Sequence, residues 1–550
     1  MLALIGAALV ACGFVWAWGG IAGLVFGRGW PGLGAGQLLG VLVRLPTRLA
    51  RPAQAWPAAQ RAELPGAGGF YAALSLLCAA AVATAVLLLR AGVVGVLRGR
   101  RVGAGWAGAG ELRVLRRRAR DSGRLALGRR GGRLLHAEQR HALVAFGPPQ
   151  SGKSAGLAVP ALLEWRGPAV ASSIKTDLLA ASEAARRRAG EVLVFDPFSL
   201  AGRETHTWSP LHGAGTWDGA LEVAWRLAAA GELDQRGVEG GDFWAIAAEQ
   251  RLAPLLFTAA CTGAGMDDVV RWAYGQGARE LYEALAELTG SARDEEQLAG
   301  AHAAYDSVRA FEAQAERTRS SIEATAQALL RAYRFTRVAR SARSCEITPD
   351  RLLDGSHTLY LIGDAKASKL LRPIFLALLS EVVERAYERA TLAGGRLERP
   401  LLLCLDEAGN VAPLPNLAEI ASTAPSHNIQ LVSIFHDLAQ ARARYGQQAE
   451  TVVNSHRARM LLPGVADLET LRYFSSLAGE REVRDLTRTT GSGGTTRSSG
   501  RRHRPLVAPE ELRQLPEGDA LLLYGRIPPT RVRLRMWFSD RRLRKLAQPR

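Results

Sequence analysis

Residues Gly147-Pro148-Pro149-Gln150-Ser151-Gly152-Lys153-Ser154 have the types and spacing of a loop built to hold phosphate. An apolar run at 141–146 reads as a buried strand leading into it, and a helical pattern at 155–165 follows. Glycine at both ends lets backbone N–H groups curl around an anion. Lys153 reaches the β- and γ-phosphates, and Ser154 offers an oxygen to Mg²⁺. Of the 70 basic residues in the chain only five are lysines, so a lysine at this spacing carries more weight than in an average sequence. Hydrolysing a nucleotide also needs carboxylates at the end of a neighbouring strand. The run 400–405 is apolar and ends in Asp406 and Glu407. Asp406 is expected to hold Mg²⁺ through water, and Glu407 to orient or deprotonate the attacking water. Together the two motifs imply ATP and Mg²⁺ as cofactors.

Such residues must be held by a sheet. Strand-like runs at 168–174, 191–195, 357–362 and 429–434 alternate with helical stretches such as 178–188 and 370–392. This is an α/β pattern, a parallel sheet with helices on both faces. Ligands bind beyond the carboxyl ends of such strands, so Lys175, Asp196, Asp364 and Asp406 are expected on one rim. Lys175 and Asp196 read equally well as ordinary strand-end caps. Lys153 and Asp406 lie 253 residues apart, more than a compact nucleotide-binding core needs. The excess reads as an all-helical inserted domain over 213–350, which leaves 136–212 and 351–550 as the nucleotide-binding domain. Within the insert, Arg331, Arg334, Arg337, Arg340 and Arg343 recur every three residues along a stretch, 301–340, that reads as one helix. That spacing spirals around a helix, either as a track for phosphates or as a solvated face. Residues 484–504, rich in Thr, Gly, Ser and Arg, read as a flexible loop. A strand over 531–538 alternates arginine outward with Val532, Leu534, Met536 and Phe538 inward.

The chain has 550 residues, 48% hydrophobic and 22% charged, which excludes full-length disorder. Five scattered cysteines without a C-x-x-C exclude a disulfide framework and a cysteine zinc site. A formal charge of +18 points to polyanionic partners, nucleic acid or anionic lipid. Uncharged runs at about 2–27 and 66–89 each exceed the ~20 residues that cross a bilayer, so 1–100 reads as an anchor with two transmembrane helices and a short external loop. A cleaved signal peptide fits poorly, because no basic residue precedes the first run and the run is too long. Residues 90–133 carry 13 arginines and two acids, against five arginines in 28–63. The basic juxtamembrane linker 101–135 is therefore expected in the cytoplasm and the loop 28–63 outside.

Taken in order, these features resemble a known family. After the two spans and the phosphate loop come Lys175-Thr-Asp-Leu178, Asp196-Pro197, Trp208-Ser-Pro-Leu211 and Gly241-Asp-Phe-Trp244. They are followed by Asp406-Glu-Ala-Gly-Asn410, Gln440 ahead of Tyr445-Gly446, then Arg504-Pro-Leu, Glu510-Glu-Leu and Leu515-Pro516. Over nearly its whole length the chain is similar to the type IV secretion coupling proteins of the TraD/TraG group. The resemblance implies a RecA-like P-loop ATPase core, a homo-hexamer, and a multi-pass protein of the inner (cytoplasmic) membrane with its ATPase domain in the cytoplasm. It implies as partners a relaxase–DNA complex or secreted effector proteins, single-stranded DNA, and components of the secretion channel. By the same analogy the helical insert engages substrate, and residues 436 and 440 join Lys153 and Glu407 as catalytic groups. Relatives carry a sensing glutamine where this chain has His436, and an interface arginine in the neighbourhood of Pro425. These departures imply normal ATP binding with slow turnover, unless Arg442 or Arg444 serves the interface instead.

Two other readings compete. A double-stranded DNA translocase of the FtsK kind would share the core, but such proteins usually have four spans and a winged-helix tail, and neither is evident here. A weakly active or inactive docking receptor would gather secreted proteins without pumping them. For topology, reporter fusions should place residue 45 outside the cytoplasm and residue 130 inside it; a cytoplasmic signal at 45 would end the two-span reading.

Overall fold

A computed structural model describes residues 2–90, 104–116, 124–235, 241–491 and 494–549, in two units that divide after Arg101. The second unit is built on β1 (Ala126–Arg130), β2 (Arg133–His136), β3 (Ala142–Phe146), β4 (Ala169–Ser173), β5 (Val192–Phe195) and β6 (Thr358–Ile362). They are joined by β7 (Leu401–Leu405), β8 (Ile429–Phe435), β9 (Ala458–Leu461), β12 (Asp519–Tyr524) and β13 (Ile527–Arg533) in one sheet, ordered β2-β1-β13-β12-β9-β3-β8-β7-β4-β6-β5. From β9 to β5 all neighbours are parallel. These strands are almost uniformly apolar because helices cover both faces. In β3, Val144 and Phe146 enter one core, shared with the helix Ala365–Leu392, while Leu143 and Ala145 enter the other.

The sheet is mixed where the sequence implied a parallel one. Its other four strands are antiparallel. Two of them, β1 and β2, lie in the stretch read as linker. They are joined by Gly131-Gly132, both at positive φ (54° and 74°), the backbone that a two-residue hairpin turn requires. Strand β13 ends at Arg533, earlier than the alternation suggests. The Trp537 N–H donates to the Ala155 carbonyl at 3.0 Å, which draws residues 534–538 over the phosphate-loop helix and out of the sheet.

Between β5 and β6 the chain is helical, from Trp217–Gln235 to Pro349–Leu353. The stretch 301–340 is not one helix. It divides into Glu295–Glu312, Glu316–Leu330, a 3₁₀ turn at Arg331–Arg334 and a short helix Thr336–Ser341. Arg334 lies over the Tyr274 ring at 5.1 Å and Arg337 donates to the Phe198 carbonyl at 3.4 Å, so the five arginines form no spiral. Residues 484–504 are not a loop either. They belong to a ribbon of β10 (Glu480–Gly491) and β11 (Gly494–Pro505), paired from Glu480 opposite Pro505 to Gly491 opposite Gly494. Their β-branched threonines suit extended chain, and the ribbon forms a two-stranded sheet by itself.

In the first unit, the helices Leu2–Phe26 and Ala67–Arg90 flank a folded connection containing the helix Ala35–Arg44. Glycines let this connection press on the first helix: a Cβ at Gly20 would lie 2.1 Å from the Trp30 ring, and one at Gly19 would lie 2.5 Å from Trp56. Trp18 Nε1 donates to the Phe70 carbonyl at 2.6 Å, joining the two long helices. Residues 67–84 are long and apolar enough to cross a bilayer, and Ala11–Phe26 in the first helix forms a shorter apolar stretch.

One buried cation stitches the nucleotide-binding unit together. Arg186, 1% exposed near the end of the helix Asp177–Ala189, donates to the carbonyls of Trp165, Gly167 and Ser356 and to the Thr358 hydroxyl. Burial lowers its pKa to about 10, and among the described residues no carboxylate pairs with it. Arg186→Met should strand these acceptors and cost ~3 kcal/mol or more. A clearly lower denaturant midpoint is the expected result, and an unchanged midpoint would show the acceptors satisfied by other means.

Candidate functional site

Strands β3, β8 and β7 are adjacent and parallel, with Phe146 beside Phe435 and Leu405 beside Ser433. The segments after them, 147–154, 436–440 and 406–410, therefore leave the sheet side by side. The phosphate loop starts with the Gly147 N–H donating to the Phe435 carbonyl at 3.0 Å. A Cβ on Gly147 would meet Ser151 Oγ at 2.4 Å, and one on Gly152 would meet Met536 Cε at 2.5 Å; the φ of 87° at Gly152 is what favours glycine there. Gln150 and Glu407 also have positive φ, 67° and 70°, unusual for side-chain-bearing residues and often found where a site fixes its own geometry.

The side chains meet across the gap between loop and acids. Lys153 Nζ is 2.6 Å from Glu407 Oε1, and Ser154 Oγ donates to Asp406 Oδ2 at 2.6 Å. The other Glu407 oxygen accepts from Asn410 Nδ2 and from His436 Nε2, each at 2.8 Å. His436 Nε2 must carry a proton to donate there, so the 3.4 Å approach of Lys153 Nζ to it is a contact between two donors. Burial pushes the Glu407 carboxyl up, but the hydrogen bonds from His436 and Lys153 outweigh it and hold the pKa at about 2. Glu407 is thus ionised at working pH. Burial raises the pKa of Asp406; the Ser154 hydroxyl and Lys153 only partly offset this, and the Glu407 charge adds to it.

The residues fit Mg²⁺. Asp406 Oδ1 is buried with no hydrogen-bond partner among the described residues, while its other oxygen already touches Ser154. A free carboxylate oxygen beside a hydroxyl suits an ion that takes the rest of its shell from water and phosphate. The cleft holding these groups has a volume of ≈ 420 Å³. Pro149, Gln150, Gly152, Lys153 and Ser154 line it, with Asp406, Glu407 and His436 opposite. Pro148 and Ser151 belong to the loop but do not line the cleft, and Ser151 Oγ is buried without a partner among the described residues.

Most of the other residues singled out in the sequence lie elsewhere. Gln440 sits behind the cleft, its Oε1 accepting from the His436 backbone N–H at 2.7 Å and its side chain against Gly409. It positions the loop after β8. Lys175 is in the cleft. Asp364 caps the helix Ala365–Leu392, and Asp196 accepts from the Ala201 N–H, so both serve local structure. Pro425 is buried before the start of β8, at the opposite end of that strand from His436. Arg442 pairs with Glu450 at 2.7 Å and with Glu469, and Arg444 Nε donates to the Gly409 carbonyl at 3.0 Å. The sequence reading missed Met536 and Phe538 as cleft residues, having placed them in a core strand; Phe538 is 53% exposed at the cleft. It also missed Asn410 as the partner of Glu407, although that residue stands in the acidic motif.

Residues 109–549 match the family described as type IV secretory system conjugative DNA transfer. Over 408 residues the chain is 25% identical to conjugal transfer protein TraG of Escherichia coli, covering 70% of this chain and 63% of that protein. It thus spans less than two thirds of that relative. It is 23% identical to VirD4 of Rhizobium rhizogenes over 499 residues, 87% of this chain and 71% of the relative. In fold it is similar to the bacterial conjugative coupling protein TrwB, with a TM-score of 0.59 and 20% identity over 80% of this chain and 93% of that one. TrwB has also been solved in complex with ADP and Mg²⁺ and with a non-hydrolysable ATP analogue.

The geometry separates two substitutions. Lys153→Ala removes the cation facing the phosphate site and should weaken ATP binding by ~2–5 kcal/mol, or at least ~30-fold. Glu407→Gln keeps shape and frees Lys153, so ATP affinity should be undiminished while turnover falls ~10²–10⁴-fold. Turnover at the wild-type rate in Glu407→Gln would remove that residue from the reaction.

Proposed function

The chain belongs to the type IV secretory system conjugative DNA transfer family, and on that basis we propose that it is a membrane-anchored ATPase that delivers a nucleoprotein or protein substrate to a secretion channel. The observation that carries the ATPase reading is the 2.6 Å contact of Lys153 with Glu407, which sets the cation of the phosphate loop against the base. Binding of ATP moves Lys153 from Glu407 onto the β- and γ-phosphates. Ser154 and Asp406 would hold Mg²⁺, which would supply positive charge against the phosphate oxygens. Glu407, released by Lys153 and still held by Asn410, orients the attacking water and takes its proton. Met536 and Phe538 offer the base an apolar side of the cleft.

From the resemblance to ring-forming coupling proteins we read this chain as a homo-hexamer anchored through helices 2–26 and 67–90 in the inner membrane, with its ATPase unit in the cytoplasm. Its partners are then a relaxase–DNA complex or secreted effectors and the channel itself. A neighbouring subunit must supply a cation to the γ-phosphate for fast turnover, a contribution of ~10³–10⁵ in related systems. Neither buried Pro425, nor Arg442, engaged by two acids of its own chain, nor Arg444, bonded to the Gly409 carbonyl, serves that role as placed. Turnover is therefore slow until substrate rearranges the interface.

Steady-state hydrolysis by the full-length protein in detergent tests the reading. ATP should be hydrolysed slowly alone and several-fold faster with single-stranded DNA. Tight ATP binding with no stimulation by nucleic acid would identify a docking receptor, and the motor reading would fail.

A further inference from the structure

The β10–β11 ribbon holds an arrangement that a purely structural hairpin avoids. Its register sets Arg481 opposite Arg504, Arg484 opposite Arg501, and Arg488 opposite Arg497. Like charges directly across a strand pair destabilise it. The ribbon spans 480–505 and carries seven arginines against Glu480, Glu482 and Asp485, a net +4 from 7 − 3. Beyond Asp485 toward the tip, 486–499 has no acid at all, and its charged residues are Arg488 and Arg497. Glu482 is paired with Arg501 at 3.1 Å near the base.

Residues of one strand alternate between faces, so Arg484 and Arg488 share a face with their partners Arg501 and Arg497. Four guanidinium-bearing positions thus stand in two rows, four residues or ~14 Å apart, with ~5 Å between opposed residues. A two-stranded ribbon fits the major groove of duplex DNA. Its rise of ~3.4 Å per residue matches the axial spacing of phosphates along one DNA strand, so the rows lie about four phosphates apart. Threonines and serines fill the positions between, at 487, 489, 490, 495, 496, 498 and 499. The segment 484–504 contains no Phe, Tyr or Trp on which unpaired bases would stack, and its tip, Gly491-Ser-Gly-Gly494, offers nothing apolar to enter a bilayer.

We propose that the β10–β11 ribbon is a nucleic-acid-binding arm, whose opposed arginines grip the phosphate backbone of double-stranded DNA without reading its sequence. The proposal rests on the reading of the chain as a DNA-handling protein and gives that activity a site distinct from the nucleotide cleft. A polyanion lying over the paired arginines attracts both and offsets their mutual repulsion.

The test uses the full-length protein in neutral detergent, a fluorescent duplex of about 30 bp, and a salt titration from about 50 to 300 mM. The variant Arg484→Ser/Arg488→Ser/Arg497→Ser/Arg501→Ser is compared with wild type, with ATP affinity as the check on folding. A second variant, with the same four residues changed to lysine, keeps the charge. The serine variant should bind the duplex at least ~10-fold more weakly, its log K against log salt slope falling by up to ~3–4, about 0.9 for each phosphate no longer neutralised. The lysine variant should keep most of both. Wild-type binding with an unchanged slope in the serine variant overturns the arm and leaves the DNA-handling reading standing. Wild type that fails to bind DNA overturns both. Loss of binding to anionic vesicles in the serine variant, with its DNA slope unchanged, makes the ribbon a lipid-binding element and overturns the proposal.

Discussion

The site depends on Lys153 reaching Glu407. These residues follow β3 and β7, which are not neighbours: β8 lies between them. Two inter-strand steps amount to ~10 Å, a gap that one lysine and one glutamate side chain can close from opposite sides. The group leaving β8 must then fit under their contact, and His436 does so by donating to the second carboxylate oxygen of Glu407. A strand order that set β3 and β7 farther apart would leave the phosphate loop and the acids without a common cleft. The positive φ of Glu407 and the Ala408 N–H bonded to the Ile434 carbonyl hold the acidic turn against β8.

Much of this was legible in the sequence because it is local chemistry. A glycine-bounded loop after an apolar strand, and two acids after another, specify both the residues and the rim on which they meet. The strands β3 to β8 were readable for a related reason: burial on both faces leaves uninterrupted apolar runs with little ambiguity. Even the Ala-Gly-Asn that follows the acids now has a mechanical meaning. A Cβ on Gly409 would lie 3.2 Å from Gln440, and Asn410 fixes the Glu407 carboxylate.

What the sequence hid was set by pairing partners far along the chain. The apolar positions Leu534, Met536 and Phe538 continue the alternation of β13, and nothing local says that Trp537 will bond to Ala155 instead of to a strand. The 484–504 segment has too few apolar residues to specify a core, so composition argued for a loop. Its order comes from twelve cross-strand pairs that only the register reveals. The hairpin signal Gly131-Gly132 was present but lay inside an arginine-rich stretch whose charge dominated the reading. In the insert, helical periodicity continued through 331–340 although the backbone tightens into a 3₁₀ turn, a change of a fraction of a residue per turn that apolar spacing cannot register.

The nucleotide cleft lies at the carboxyl ends of the parallel strands and the root of the ribbon near their amino ends, and this limits how they communicate. The cleft lies past the carboxyl ends of β3, β7 and β8. The ribbon is rooted after the helix Leu468–Ala478, where the Ala104 N–H bonds to the Glu480 carbonyl and the Ala107 N–H bonds to the Pro529 carbonyl, near the β12–β13 turn at the amino end of β9. β8 is hydrogen-bonded on both sides and buried along its whole length, so it cannot slide against β3 or β7 without breaking both ladders. Arg186 fixes the same end of the sheet by tying the helix Asp177–Ala189 to the approaches of β4 and β6. A displacement of β8 alone is therefore opposed by both ladders, and the strands that carry Lys153, His436 and Glu407 to the cleft keep their order.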